Sequence, residues 1–201
     1  MRLPNAAQAQ HGWLIDQIVP DFKLLDVWRL PVDGGPDDFP ALVEVLNSLD
    51  PTSGDSRAAR ALFRLRLRIG ELFGWDRASD DRSVPGRSER SLSERVPEAL
   101  RGSALGADGR RPGVGSVRFT PLYRTDRESA AEISNRTVHG VLHLGWVGQR
   151  DGSYHGQMAV YVKTRGRLGE AYMALIGPFR HLIVYPALMR QIARAWAARA
   201  A

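Results

Sequence analysis

Three of the five histidines, His139, His143 and His155, fall with Glu128, Glu132 and Gln157 in one stretch of alternating apolar and polar residues. Imidazole beside carboxylate is ordinary equipment for moving protons near neutral pH, because the carboxylate fixes the imidazole tautomer and favours its charged form. Alternation with a period of two marks a strand. In VHGVLHLGWV, Val138, Leu142, Leu144 and Trp146 share one face, and His139, Val141, His143 and Gly145 the other. The next strand repeats the division, with Met158, Val160 and Val162 against His155, Gln157 and Tyr161. Joining the two through GQRDGS pairs Trp146 with Tyr154 and Leu142 with Met158. Upstream, a two-residue turn at Asn135-Arg136 pairs Ile133 with Val138 and sets Glu132 opposite His139 and Glu128 opposite His143. Glu132 and His139 are therefore the candidate acid–base pair, with Arg136 beside them for proton transfer on a bound carbonyl compound. A half-solvated sheet whose outer face is simply polar accounts for the same residues without chemistry, and is the plainer expectation.

Other chemistries find less support. His139 and His143 are four apart, but on a strand that spacing separates them by roughly 13 Å, too far to share one ion. No metal site is expected. Cysteine is absent, so the chain has no thiol nucleophile, thiolate ligand or disulfide. Without a nucleophile motif, phosphate loop or dinucleotide fingerprint, no cofactor is implied.

The opposite, apolar face offers a binding site. Trp28, Leu142, Trp146, Tyr154, Met158 and Val160 lie beneath the last helix and suit either a plain core or the lining of a cavity for a small apolar ligand.

The elements that position these residues read as strand, helix, helix, four strands and long helix, an α+β order in a single domain over residues 1–201. Leu24, Trp28, Leu30 and Val32 alternate as a strand, with Pro31 marking an edge or an end. Asp37 or Asp38 can cap a helix carrying Phe39, Leu42, Val43 and Leu46, with Pro40 in its first turn. A second helix runs from Ser56 to Phe73, with Leu62, Leu65, Ile69 and Leu72 on one stripe and arginines on the other. From Asp76 to Ser116 the apolar period is lost, which predicts a flexible excursion. Within it, SLSERVPEALR can dock on the body through Leu92, Val96 and Leu100. After Gly166 an apolar stripe from Leu168 through Tyr172, Leu175, Ile176, Phe179, Leu182, Ile183 and Ile192 to Trp196 predicts a helix across the sheet, kinked or split at Pro178 and Pro186.

A net charge of +6 invites a nucleic-acid reading. Lys23 and Lys163 are the only lysines, however, and an arginine excess of this kind resembles a coding bias more than selection for phosphate contacts. No nucleic acid is expected. The opening MRLPNAAQAQHGWLIDQIVP lacks the uninterrupted apolar run of a secretory signal, which points to the cytoplasm. Ala171 to Met189 is nearly long enough to span a bilayer, but Arg180 and His181 sit at its midpoint, where a charge is costly. No transmembrane segment is expected. Attachment to a membrane surface or a partner through the basic last helix is a further reading.

LGEAYMALIGPFRHLIVYPALMRQI resembles the C-terminal signature of an uncharacterised bacterial family, domain-of-unknown-function family 2867. DVWRLPV and RVPEALR resemble its earlier landmarks. The resemblance implies no activity. The element order is similar to helix-grip, START-like proteins, in which a curved antiparallel sheet wraps a long C-terminal helix around an apolar cavity. That likeness implies a cavity and sets it level with the plain core, which pattern alone would favour.

Overall fold

A computed structural model describes residues 1–49, 92–103, 113–114, 117–134 and 138–199. The expected helix from Ser56 to Phe73 lies outside these residues, as does most of the expected excursion. The chain opens with β1 (Arg2–Leu3) and two short helices, α1 (Ala6–Ala9) and α2 (Leu14–Ile18). β2 (Lys23–Gly34) follows, then a 3₁₀ turn and α3 (Phe39–Ser48). After a small hairpin, β3 (Gly113–Val114) and β4 (Val117–Arg118), come β5 (Thr120–Arg124), β6 (Glu128–Ser134), β7 (Val138–Gly148) and β8 (Tyr154–Thr164). The chain closes with α4 (Gly166–Phe179), a π-helical segment over Arg180–Val184, and α5 (Tyr185–Arg199).

Six strands form one antiparallel sheet in the order β1-β2-β8-β7-β6-β5. Pro31 lies within β2, not at its end, between Arg29 and Asp33 where pairing with β8 shifts register. A bulge is where a strand accommodates proline, since no ladder hydrogen bond is asked of it. Asp38 precedes α3, but its carboxylate accepts from the Gly35 N–H at 2.8 Å and makes no cap bond to the helix.

Both hairpins are offset by two residues from the expected register. Gly148 pairs with Tyr154, Leu144 with Met158 and Leu142 with Val160. The reason is the turn: Gln149 N–H donates to Ser153 O at 2.7 Å around Arg150, Asp151 and Gly152, and Gly152 takes φ +84°. This is the compact loop in which a glycine supplies the left-handed residue. Likewise Ser134 pairs with His139, and Glu132 with Val141, not with His139. The turn residues Asn135 and Arg136 are outside the described set. A shift of two preserves the side-chain faces, whereas a shift of one would have exchanged them.

The sheet is covered on both faces, which overturns the half-solvated expectation. The face carrying the histidines is buried with Trp13, Ile15, Ile18, Leu92, Val96, Tyr123 and Tyr161 in one core cluster. The N-terminal residues and the docked segment supply that cover. Leu92 and Val96 are buried, as SLSERVPEALR suggested, and Arg95 ties the segment to Asp21 at 2.6 Å. Gly145 shows how closely the layers meet, since a Cβ there would lie 2.7 Å from Trp13.

The second cluster joins Trp28, Leu30 and Val32 of β2 with Phe39 and Leu42 of α3, Trp146, Met158, Tyr185 and Ile192. The C-terminal helix is split as its prolines require: Pro178 lies near the end of α4 and Pro186 in the first turn of α5. The π segment also breaks the apolar stripe. Leu182, read as part of it, is 77% exposed, while Ile192 is fully buried. The side chains of Leu168, Tyr172, Leu175, Ile176 and Phe179 fall outside the described residues.

Candidate functional site

On the histidine face, the offset register still brings both acid–base pairs together, diagonally across the strands. His139 Nε2 meets Glu132 Oε2 at 2.8 Å, and His143 Nε2 meets Glu128 Oε2 at 3.0 Å. All four side chains are buried. Phe22 closes over His139 with ring centroids 5.0 Å apart, and Trp13 over His143 at 5.3 Å.

The second pair belongs to a directional chain of hydrogen bonds. Gln157 Nε2 donates to Gln8 Oε1 at 2.8 Å, and Gln8 Nε2 reaches His143 Nδ1 at 3.1 Å. With Nδ1 accepting, the ring proton sits on Nε2 and points at Glu128. Glu128 also accepts from Tyr123 OH at 2.7 Å and from the Leu14 N–H at 3.0 Å. Burial alone would raise its pKa, but the hydrogen bonds from His143, Tyr123 and Leu14 together hold it below the ordinary glutamate value. Burial first, then the charge of Glu128, drives the Tyr123 phenol far above the tyrosine range and keeps it a donor. Every polar atom of the Glu128 carboxylate is satisfied by groups that also fix Gln8 and Leu14 on the sheet, an arrangement suited to holding the N-terminal cover in place. The parity pattern revealed the histidines and carboxylates. Gln8 and Asp16, which accepts from Tyr161 OH at 2.6 Å, were missed because no local period links them to the sheet.

On the opposite face, Trp28, Leu142, Trp146, Tyr154, Met158 and Val160 come together as one surface beneath the C-terminal helix. Trp28, Trp146 and Met158 are buried, whereas Leu142, Tyr154 and Val160 are half-buried. Leu142 and Val160 are direct partners on the two central strands.

Next to them lies a polar cluster that the sequence reading missed. Asp26, the β2 partner of Val160, is fully buried. Arg180 Nη2 donates to its Oδ2 at 2.6 Å and Tyr185 OH donates to the same oxygen at 3.2 Å. Oδ1 lies 3.1 Å from His181 Nε2 and 3.4 Å from Arg2 Nη2. Hydrogen bonding from residue i to i+5 gathers Arg180, His181 and Tyr185 on one side of the π segment, a local form often found at functional sites. Trp28 closes the group, its ring 4.6 Å from Tyr185 and 6.3 Å from His181. Burial foremost, with Arg180 opposing and Asp26 adding, raises the Tyr185 phenol and keeps it protonated. The available signal was an acidic residue inside a strand and a cation pair inside an apolar helix. Among the described residues, no three His, Asp or Glu side chains are grouped to hold a metal ion.

A family model described as "Protein of unknown function (DUF2867)" matches residues 18–187. The chain belongs to this family. The match takes in β2 to β8, α4, the π segment and the start of α5, and therefore Asp26, Trp28, Arg180, His181 and Tyr185, but not β1. No curated protein and no solved structure matches the chain. No helix among the described residues is long and apolar enough to cross a membrane.

Proposed function

We propose that the chain is a binding module that holds a small apolar ligand between the sheet and the C-terminal helix, against Trp28, Leu142, Trp146, Tyr154, Met158 and Val160. One observation carries this reading. Leu142 and Val160 face each other at the middle of the sheet, on the helix-covered side, yet both remain half-buried. The centre of a plain core is its driest and most densely packed place, so apolar area left there is area a ligand can cover. The helix-grip likeness of the element order supports the same place for a cavity. Saturable binding of 1-octanol, followed by calorimetry, tests it, together with native mass spectrometry for a co-purifying molecule. Leu142→Trp, which fills the space, is expected to abolish binding. Absence of both a co-purifying molecule and saturable octanol binding defeats the reading.

A second reading is an enzyme that moves protons with Glu132 and His139, and the 2.8 Å contact between them favours it. Strand parity places that pair on the other side of the sheet from Leu142 and Val160, so a ligand seated under the C-terminal helix is out of its reach.

A further inference from the structure

We infer that the ligand is an amphiphile with a carboxylate head group, received by Arg180, His181 and Trp28 beside Asp26; this rests on the binding-module reading. The buried Asp26 carboxylate stands against the permanent cations Arg2 and Arg180, which leaves one positive charge over before His181 is counted. A single surplus charge suits a monoanion.

Hydrogen-bond accounting gives the same sign. Trp28 Nε1, Arg180 Nε and His181 Nδ1 are buried and have no hydrogen-bond partner among the described residues. The first two are N–H groups that donate and never accept, so only an acceptor satisfies them. Leaving a buried donor unpaired is costly, and a carboxylate oxygen removes that penalty with charge-assisted bonds. A cation would add to the surplus charge and leave both N–H groups unpaired. Asp26 Oδ1 also lacks an aligned hydrogen bond, although His181 Nε2 and Arg2 Nη2 lie 3.1 and 3.4 Å away.

Position links the polar cluster to the apolar surface. Asp26 pairs with Val160, and Val160 pairs with Leu142, so the three form a row across β2, β8 and β7. An alkyl chain lying on Leu142 and Val160 therefore ends at Asp26 and Trp28, under Arg180 and His181. The side chains of Arg180 and His181 are 18% and 28% exposed, so the cluster is partly open to solvent although its unpaired nitrogens are buried.

The test compares octanoate with 1-octanol by titration calorimetry on the full chain. Octanoate is expected to bind about tenfold more tightly, the worth of one charge-assisted hydrogen bond. Trp28→Phe removes the indole N–H, which pairs with no group among the described residues, together with part of the ring, so its 1-octanol affinity serves as the reference for the lost packing; Arg180→Lys keeps a cation for Asp26 while losing Nε–H. Each is expected to reduce the octanoate preference. Asp26→Asn removes the competing anion and is expected to tighten octanoate alone, the opposite of what a purely structural carboxylate would give. Equal binding of both probes, or a preference untouched by Trp28→Phe and Arg180→Lys, overturns the carboxylate inference and leaves the apolar site standing. Binding of neither overturns both.

Discussion

Asp26 and Arg180 are 154 residues apart in sequence and 2.6 Å apart in space, so one ion pair closes the C-terminal helix onto the second strand. A fully buried carboxylate is tolerated only with partners, and removing a partner leaves a charge with no water to solvate it. Asp26→Ala is therefore expected to destabilise the chain by about 3–5 kcal/mol in chemical denaturation. The double variant Asp26→Ala with Arg180→Met should lose less than the sum of the single losses, since it leaves neither charge orphaned. Additive losses would mean that the two are not energetically coupled.

Ile192 and Leu182 separate the two sides of the C-terminal helix. Ile192→Ala empties a fully buried site and is expected to cost about 2–5 kcal/mol. Leu182→Ala, at 77% exposure, should stay within about 0.5 kcal/mol. Comparable losses at both would place Leu182 in an interface, and the surface-attachment reading of the last helix would gain.

Glu128 makes stability depend on acid. Its folded pKa lies below the ordinary value of 4.5, so between those two values the unfolded chain binds the extra proton. Its contribution is thus fully present above pH 4.5 and is lost as the pH falls through the folded pKa. Glu128→Gln is expected to lower stability at pH 7, by about 1–3 kcal/mol for the imperfectly replaced hydrogen bonds, and to flatten the acid limb. Denaturation midpoints measured from pH 7 to pH 3 check both; an acid limb as steep as in the wild type would assign the dependence to other carboxylates.

Gly145 and Trp13 test the covered histidine face. A methyl group at residue 145 would lie 2.7 Å from the Trp13 ring, so Gly145→Ala should cost about 1–3 kcal/mol through overpacking. In a Trp13→Leu background that cost should shrink. An unchanged cost would mean that the indole does not pack there in solution.

The sequence by itself determined the faces. Alternation put Leu142, Leu144 and Trp146 on one side and His139 and His143 on the other, and those assignments survive because both hairpins differ from the expected register by an even step. Hydrophobic period and prolines likewise determined the order of the major elements, the docking of Leu92 and Val96, and the split of the last helix. The structure decided the exact partners, because loop geometry sets register: Gly152 with its positive φ fixed the β7–β8 hairpin, and Glu132 meets His139 on a diagonal. It also decided that the polar face is buried. Its cover comes from the chain's first twenty-two residues and from Leu92 to Leu100; the second segment's period marked it to dock, but neither segment carries a pattern that names this face of the sheet as its destination. The cluster around Asp26 was beyond local reading for the same reason. Arg2, Asp26, Arg180, His181 and Tyr185 become neighbours only when β1, β2 and the π segment converge, and a buried charge is recognised only once its burial is known.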